Sequence, residues 1–304
     1  MKTTMKTTIN KFLFDGYLWC ERKLAGLSPK QLVTSDGTFA YLEGGKGQTI
    51  LLLHGFGANK DNWNKLAKYL TRDFHVIAID LPGFGHSHHD PEASYGLADQ
   101  LTRLLTFVQH KQLTNVMLAG NSYGGYLAAN FAAQHPERIR TLLLLNPLGV
   151  ASAKHSEVFN YIAAGGHNVL LPGNQEEYAF LLQKCFYKVP YLPDFAIEQL
   201  TREATSNPSL KEKIFFATHE RSGDNLIFEG PLEQVLKTYP GPTVVCWGTE
   251  DKILHVDGGR VLKREVEHIK LVEFEKIGHL PMLEAPGTMA KEIYKAHHEA
   301  KKRT

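Results

Sequence analysis

The chain has 304 residues, 43% of them hydrophobic and 22% charged, with a formal net charge of +2. This is the balance of a globular protein with a sizeable core, with room for one large α/β domain plus an insertion or for two smaller domains. So small a net charge, with no Lys/Arg-rich block, argues against nucleic acid as a partner, and no run approaches the roughly 18 apolar residues of a membrane span.

Residues 1–10, where Met1-Lys2-Thr3-Thr4 is echoed by Met5-Lys6-Thr7-Thr8, are expected to be a disordered leader. Residues 12–24 follow, with Phe12, Phe14, Tyr17 and Trp19 flanked by Lys11, Arg22 and Lys23. Asp15 interrupts the apolar stretch and no small-residue cleavage site follows, so a signal peptide is not expected. Two readings stay open: a peripheral membrane contact through residues 12–24, or a helix packed on the body of the protein. Cys20, Cys185 and Cys246 are odd in number and lack metal-ligand spacing, which speaks against a disulfide framework and for a reducing, cytoplasmic location.

From Gln31 strands take over. Leu32-Val33-Thr34 and Phe39 to Leu42 flank the turn Ser35-Asp36-Gly37, a hairpin signal. Thr49 to Leu53 and Phe74 to Asp80 are apolar runs of the buried, parallel type, separated by a helix from about Lys60 to Leu70. A helix over Leu97 to Gln109, a strand over Asn115 to Ala119, a helix after Gly125 and a strand over Thr141 to Leu145 continue the alternation. It stops after Asn146-Pro147 and resumes with the strand Thr243 to Trp247, a helix around Gly259 to Val266, the strand Lys270 to Phe274 and a closing helix near Pro286. This pattern predicts an α/β fold, a doubly wound, mostly parallel sheet with an inserted helical cap. The expected divisions are 1–29 for the N-terminal segment, 30–147 and 241–304 for the core, and 148–240 for the cap. In such sheets ligands bind outside the carboxyl ends of the strands.

One stretch at such an end carries the chemistry. In Gly120-Asn121-Ser122-Tyr123-Gly124 a serine sits between strand and helix with glycine two positions away on either side. A tight strand-to-helix turn exposes the hydroxyl and needs small flanking residues. Serine is a weak nucleophile without a base, and that base needs an orienting group. His279 follows the last strand and Asp251 the strand before it, with Glu250 and Asp257 as competing acids and His297 and His298 as rivals to the base. The catalytic candidates are therefore Ser122, Asp251 and His279. Oxyanion donors are expected at the backbone N–H groups of Phe56 and Tyr123. His54 is read as structural. His86-Ser87-His88-His89-Asp90 finds no matching ligand set elsewhere, so neither a metal nor a cofactor is expected.

His54-Gly55-Phe56-Gly57, Asp80-Leu81-Pro82-Gly83-Phe84-Gly85-His86-Ser87, Gly120 to Gly125 and Gly278-His279 together resemble the α/β-hydrolase fold superfamily. Lys60-Asp61-Asn62-Trp63, Leu170-Leu171-Pro172 with Glu176-Glu177, Lys188-Val189-Pro190 and Trp247 to Leu254 are similar to monoacylglycerol lipases of the abhydrolase-domain-six type and related bacterial lipases. That resemblance implies a serine hydrolase acting on a small-molecule acyl ester with a fatty chain. Ser122 argues against the related enzymes with an aspartate at the elbow, the haloalkane dehalogenases and epoxide hydrolases. Carbon–carbon bond hydrolases of the meta-cleavage product type keep the serine but place tryptophan after the histidine, where this chain has Leu280; they are the alternative. A non-catalytic binding protein on this scaffold is disfavoured, because each catalytic candidate is present. The residues set no acyl length, head group or oligomeric state.

Overall fold

The computed structural model describes residues 2–302 apart from 219, 223 and 224; side chains are described from Thr7 onward, those of 163 and 219–226 aside. Among the described residues one sheet holds β1 (Leu27–Thr34), β2 (Gly37–Gly44), β3 (Gln48–Leu53), β4 (Phe74–Ile79), β5 (Val116–Asn121) and β6 (Ile139–Leu145). A separate ribbon of β7 (Glu220–Ser222) and β8 (Asn225–Ile227) precedes the last two sheet strands, β9 (Thr243–Gly248) and β10 (Ile269–Phe274). The sheet order is β1-β2-β4-β3-β5-β6-β9-β10. β2 runs antiparallel to both β1 and β4, and every other neighbouring pair is parallel.

The unbroken apolar runs of the central strands follow from burial on both faces. Leu51, Leu53, Ile77, Ile79, Leu118, Leu142 and Leu144 point into one core, and their neighbours Ile50, Leu52, Val76, Ala78, Met117, Leu143 and Leu145 into the other. The helices are α1 (Lys2–Leu24), α2 (Asn64–Leu70), α3 (Leu97–His110), α4 (Tyr123–Gln134), α5 (Glu157–Ala163), α6 (Gln175–Cys185), α7 (Asp194–Thr205) and α8 (Pro208–Phe216). After them come α9 (Leu232–Thr238), α10 (Asp257–Glu265), α11 (Pro281–Glu284) and α12 (Pro286–Lys301). Helices α3, α4 and α10 cover the first face, through Leu104, Phe107, Leu127, Phe131 and Leu262. Helices α2 and α12 cover the second, through Leu66, Leu70, Met289 and Ile293. Between β6 and β9 the chain makes α5 to α9 and the ribbon. Of these, α9 packs Leu232 and Leu236 into the first core beside α4, although it lies in the range expected for the cap.

The N-terminal segment departs from expectation. Where a disordered leader is expected, α1 is helical from Lys2. Along its exposed surface Lys11 pairs with Asp15 at 2.9 Å and Tyr17 with Glu21 at 2.7 Å, both at the i,i+4 spacing that supports a helix. Its inner face is tied to the protein at several levels. Arg202 donates to Thr7 Oγ1 at 2.7 Å, Asn10 Nδ2 donates to Glu198 Oε2 at 2.6 Å, and Phe14 is buried. Near its end Arg22 donates from Nε and Nη2 to the two carboxylate oxygens of Asp61, both at 2.7 Å. The outer face is apolar and exposed, with Ile9, Phe12, Leu13, Trp19 and Leu24 in one stripe at helical spacing. None of the described helices is long and apolar enough to cross a membrane.

Burial pushes the Asp61 carboxyl up, but the Arg22 guanidinium and the Lys60 ammonium outweigh it and hold the group below its ordinary value. A depressed folded-state pKa contributes stability that is full above the unfolded carboxylate value, about 3.9, and is lost as the pH falls through the folded one. Arg22→Gln should therefore lower stability at pH 7 by about 1.5–3 kcal/mol, the worth of hydrogen bonds to a charged group. Urea midpoints of the two proteins should converge below pH 4, and amide exchange should place the loosening in α1. An unchanged midpoint at pH 7 would show that the pair does not hold the helix.

Candidate active site

The sheet and α4 meet at Ser122. Its backbone lies at φ 52°, ψ −116°, a conformation that costs a residue with a side chain about 1–3 kcal/mol and persists only when its surroundings enforce it. They do so through three main-chain bonds. Ser122 N donates to Leu145 O at 2.9 Å, and Ser122 O accepts from Tyr126 N and Leu148 N, each at 3.0 Å. The flanking glycines follow from close approach. A Cβ on Gly120 would overlap the Gly124 backbone, and one on Gly124 would overlap the carbonyl oxygens of Leu53 and His54. Ser122 is partly exposed while Asn121 and Tyr123 are buried. Its hydroxyl thus stands at the N-terminus of α4, where unsatisfied N–H groups favour negative charge.

Asp251 and His279 come from loops after β9 and β10, and the structure brings them into direct contact. His279 Nδ1 lies 2.7 Å from Asp251 Oδ2, with both residues buried. The Asp251 oxygens accept further bonds from Asn146 Nδ2 at 2.6 Å, Ile253 N at 2.8 Å and Leu254 N at 3.0 Å. A carboxylate only accepts, so in the neutral ring Nδ1 of His279 carries the proton toward Asp251 and Nε2 is the acceptor. The elbow joins this pair through Asn121, whose Nδ2 donates to His279 O at 3.1 Å.

The competing residues lie elsewhere. Glu250 is exposed, and Asp257, in the first turn of α10, accepts from Lys154 N at 3.1 Å. His297 packs its ring on Phe74 at 5.1 Å, and His298 is exposed in the same helix. In the histidine-rich turn, His88 N donates to Thr38 O, and His89 Nδ1 lies 3.3 Å from Asn207 Nδ2.

The loop carrying Phe56 runs beside Ser122. A Cβ on Gly55 would stand 3.3 Å from Ser122 Cβ and 3.1 Å from Asn121 Oδ1. His54 is fully buried, and that burial pushes its imidazole below the usual value. Leu81 N donates to His54 Nε2 at 2.9 Å, so the ring proton sits on Nδ1 and is given to Gly55 O at 2.7 Å. Both nitrogens are spent on backbone, as the structural reading of His54 expects. Asp80, completely buried, binds the far end of the same loop. It accepts from Lys60 N and Lys60 Nζ at 2.7 Å each, and from His86 N at 2.8 Å.

Aromatic rings line this side of the elbow. Phe56 meets Phe84 edge-on at 5.5 Å and Phe215 at 5.6 Å, and Phe84 lies 6.1 Å from Tyr123. Beyond Phe84 a cavity of 760 Å³ opens between the Phe56 loop, α1 and α7, with Asp15, Arg22, Lys60, Glu203 and Lys211 in its walls. Burial lowers the Lys211 ammonium to about 8, and its Nζ rests on the carbonyls of Glu203 and Ala204 at the end of α7.

Sequence reading passed over Asn121, Asn146 and Asp80 as working parts. Asn146 directly follows β6, and its positive φ of 45° suits asparagine better than most side chains. Its amide lies against the oxygen of Asp251 that faces His279. Asn146→Gly keeps the positive φ and removes the amide. Losing a hydrogen bond to a charged group costs about 1.5–3 kcal/mol, so turnover should fall about 10- to 100-fold with folding intact. Turnover within twofold of wild type would show that Asp251 does not need this donor.

A family model for the alpha/beta hydrolase fold matches residues 48–286. Lipase 1 of Psychrobacter immobilis is 31% identical over 271 residues, which are 87% of this chain and 82% of that protein. Monoacylglycerol lipase abhd6-B of Xenopus laevis is 27% identical over 286 residues, 90% and 83% of the two chains. A crystal structure of a membrane phospholipase A, a novel bacterial virulence factor, is similar with a TM-score of 0.90 and 35% identity, covering 96% of this chain and 93% of that one. The sheet order, the elbow at Ser122 and these likenesses agree: the chain belongs to the α/β hydrolase fold family.

Proposed function

We propose that this enzyme hydrolyses carboxylic esters with a fatty acyl chain, monoacylglycerols among them, through an acyl-enzyme on Ser122. The observation that carries the reading is the 2.7 Å contact between Asp251 and His279, joined by Asn121 to the loop that holds Ser122. In this reading Ser122 Oγ attacks the ester carbonyl carbon while its proton passes to His279 Nε2. The C=O electron pair becomes an oxyanion, met by the N–H groups of Phe56 and Tyr123. Tyr123 opens α4, so its N–H has no helical carbonyl to reach. Collapse of the intermediate expels the alcohol, which takes the proton from His279. Water then attacks the acyl-enzyme by the same route and frees the acid.

The acyl part of the reading draws on the lipases among the relatives and on the stretch 148–240, read as a cap. Two of its apolar groups have different surroundings. Val169, Leu170, Phe180 and Leu181 pack with Ile253 and Leu254 of the acid loop, whereas Phe215 stands against Phe56. Phe215 is therefore the better candidate for contact with an acyl tail. The exposed stripe on α1 supports a peripheral membrane contact through residues 12–24, where Trp19 and the neighbouring Lys23 suit the interface between acyl chains and head groups.

Fluorophosphonate should label the wild type, and Ser122→Ala should lose both the label and ester hydrolysis. Asp251→Asn should cost on the order of 10⁴ in turnover, as the equivalent change does in serine proteases, while substitution of Glu250 or Asp257 costs little. Each methylene buried contributes about 0.8 kcal/mol, so kcat/KM on p-nitrophenyl esters should climb from acetate until the pocket is full. Rates falling steadily from acetate would indicate a small-ester esterase, and turnover of a meta-cleavage product alone would indicate a carbon–carbon hydrolase. Membrane contact is read by cosedimentation with lipid vesicles. The wild type should pellet and a Phe12→Ser/Trp19→Ser variant should stay in the supernatant; equal pelleting removes α1 from the contact.

A further inference from the structure

The loop that presents His279 is held from two sides. On the elbow side, Asn146 Nδ2 donates to Gly278 O at 3.3 Å and Asn121 Nδ2 to His279 O at 3.1 Å. On the other side stand Glu284, the last residue of α6 and the chain just past it. Gly278 N donates to Glu284 Oε1 at 2.8 Å, and His279 N donates to Cys185 O at 2.7 Å. The second carboxylate oxygen, Glu284 Oε2, accepts from Tyr187 N at 2.9 Å. Every main-chain N–H and C=O of Gly278 and His279 thus has a partner, and half of those partners belong to the inserted segment or to the carboxylate that clasps it.

The contact is close enough to be specific. A Cβ on Gly278 would stand 2.5 Å from Cys185 O, 2.8 Å from Tyr187 N and 3.0 Å from Glu284 Oε1. Burial holds the Glu284 carboxyl above its ordinary value, and the N–H groups of Gly278, Tyr187, Lys188 and Leu280 offset only part of that rise. A half-buried carboxylate facing backbone N–H groups on two separate segments acts as a clasp, because each oxygen satisfies one side.

We propose that Glu284 is a positioning residue for the hydrolytic reaction: it fixes the segment Cys185–Lys188 to the loop of His279, so the place of the base depends on the insertion. This edge is then a fixed wall, and any movement of the insertion that admits substrate is confined to its other parts. The inference rests on the reading of His279 as the base. Misplacing a catalytic group by about 1 Å can cost a factor of 10².

The experiment compares Glu284→Ala and the isosteric Glu284→Gln with wild type on p-nitrophenyl butyrate. Rates are counted per active site titrated with fluorophosphonate, so loss of folded protein does not enter. Both variants should lower kcat 10- to 100-fold with KM within about twofold, and should slow fluorophosphonate labelling in parallel. Amide exchange should rise together in residues 185–188 and 277–280. An unchanged kcat per titrated site, or exchange that rises in only one of the two segments, would overturn the proposal. Should the alanine variant fail to fold, the glutamine variant decides alone. If the wild type itself takes no label at Ser122, the catalytic reading falls instead, and the exchange data still report on the clasp.

Discussion

Two backbones pass so closely at the end of β5 that neither Gly120 nor Gly124 has space for a methyl group, and Ser122 is forced to positive φ between them. The rest of the site is arranged around that compression. The strained residue is held by the ends of two strands, its own and β6, so the energy stored there is balanced by sheet packing on both faces. The bond from Ser122 N to Leu145 O also delivers Asn146, the next residue, to the carboxylate of Asp251. One constraint at the elbow therefore sets both Ser122 and the amide that donates to Asp251.

Much of this could be read from the chain alone. The buried strands were legible because apolar runs of five or six residues ended in glycine-rich turns, and Ser122, Asp251 and His279 because each follows such a strand. Asn146 and Glu284 were not legible, and the reason is distance along the chain. The partners of Asn146 lie 105 and 132 residues away, and Glu284 reaches across 97 residues to Tyr187. No local pattern marks a side chain whose work is to satisfy a distant main-chain N–H or carboxylate. The start of α1 departs from the expected leader for a related reason. Residues 2–10 carry few signals of their own, and the helix continues through Thr7 and Asn10, which bond to Arg202 and Glu198 on α7.

Helix α1 links three parts of the molecule. It carries the exposed apolar stripe, touches α7 of the insertion, and through Arg22 grips Asp61 at the end of the Phe56 loop, next to the Lys60–Asp80 pair. The 760 Å³ cavity lies among these same parts. In contrast, the Cys185–Lys188 edge is bonded to the His279 loop. The insertion is thus tied down on the side of His279 and borders open space on the side of α1.

Gly248 adds to the crowding at His279, since a Cβ there would overlap the carbonyl oxygens of Ile277 and Gly278. With Gly278 pressed against Cys185 and Tyr187, the loop of His279 takes no larger residue at Gly248 or Gly278 unless its surroundings move. Drift or selection toward new substrates must travel through other positions. Phe216, exposed on α8, and Phe215, whose ring meets Phe56, offer side chains rather than crowded glycines to vary, and a designer's library should begin there.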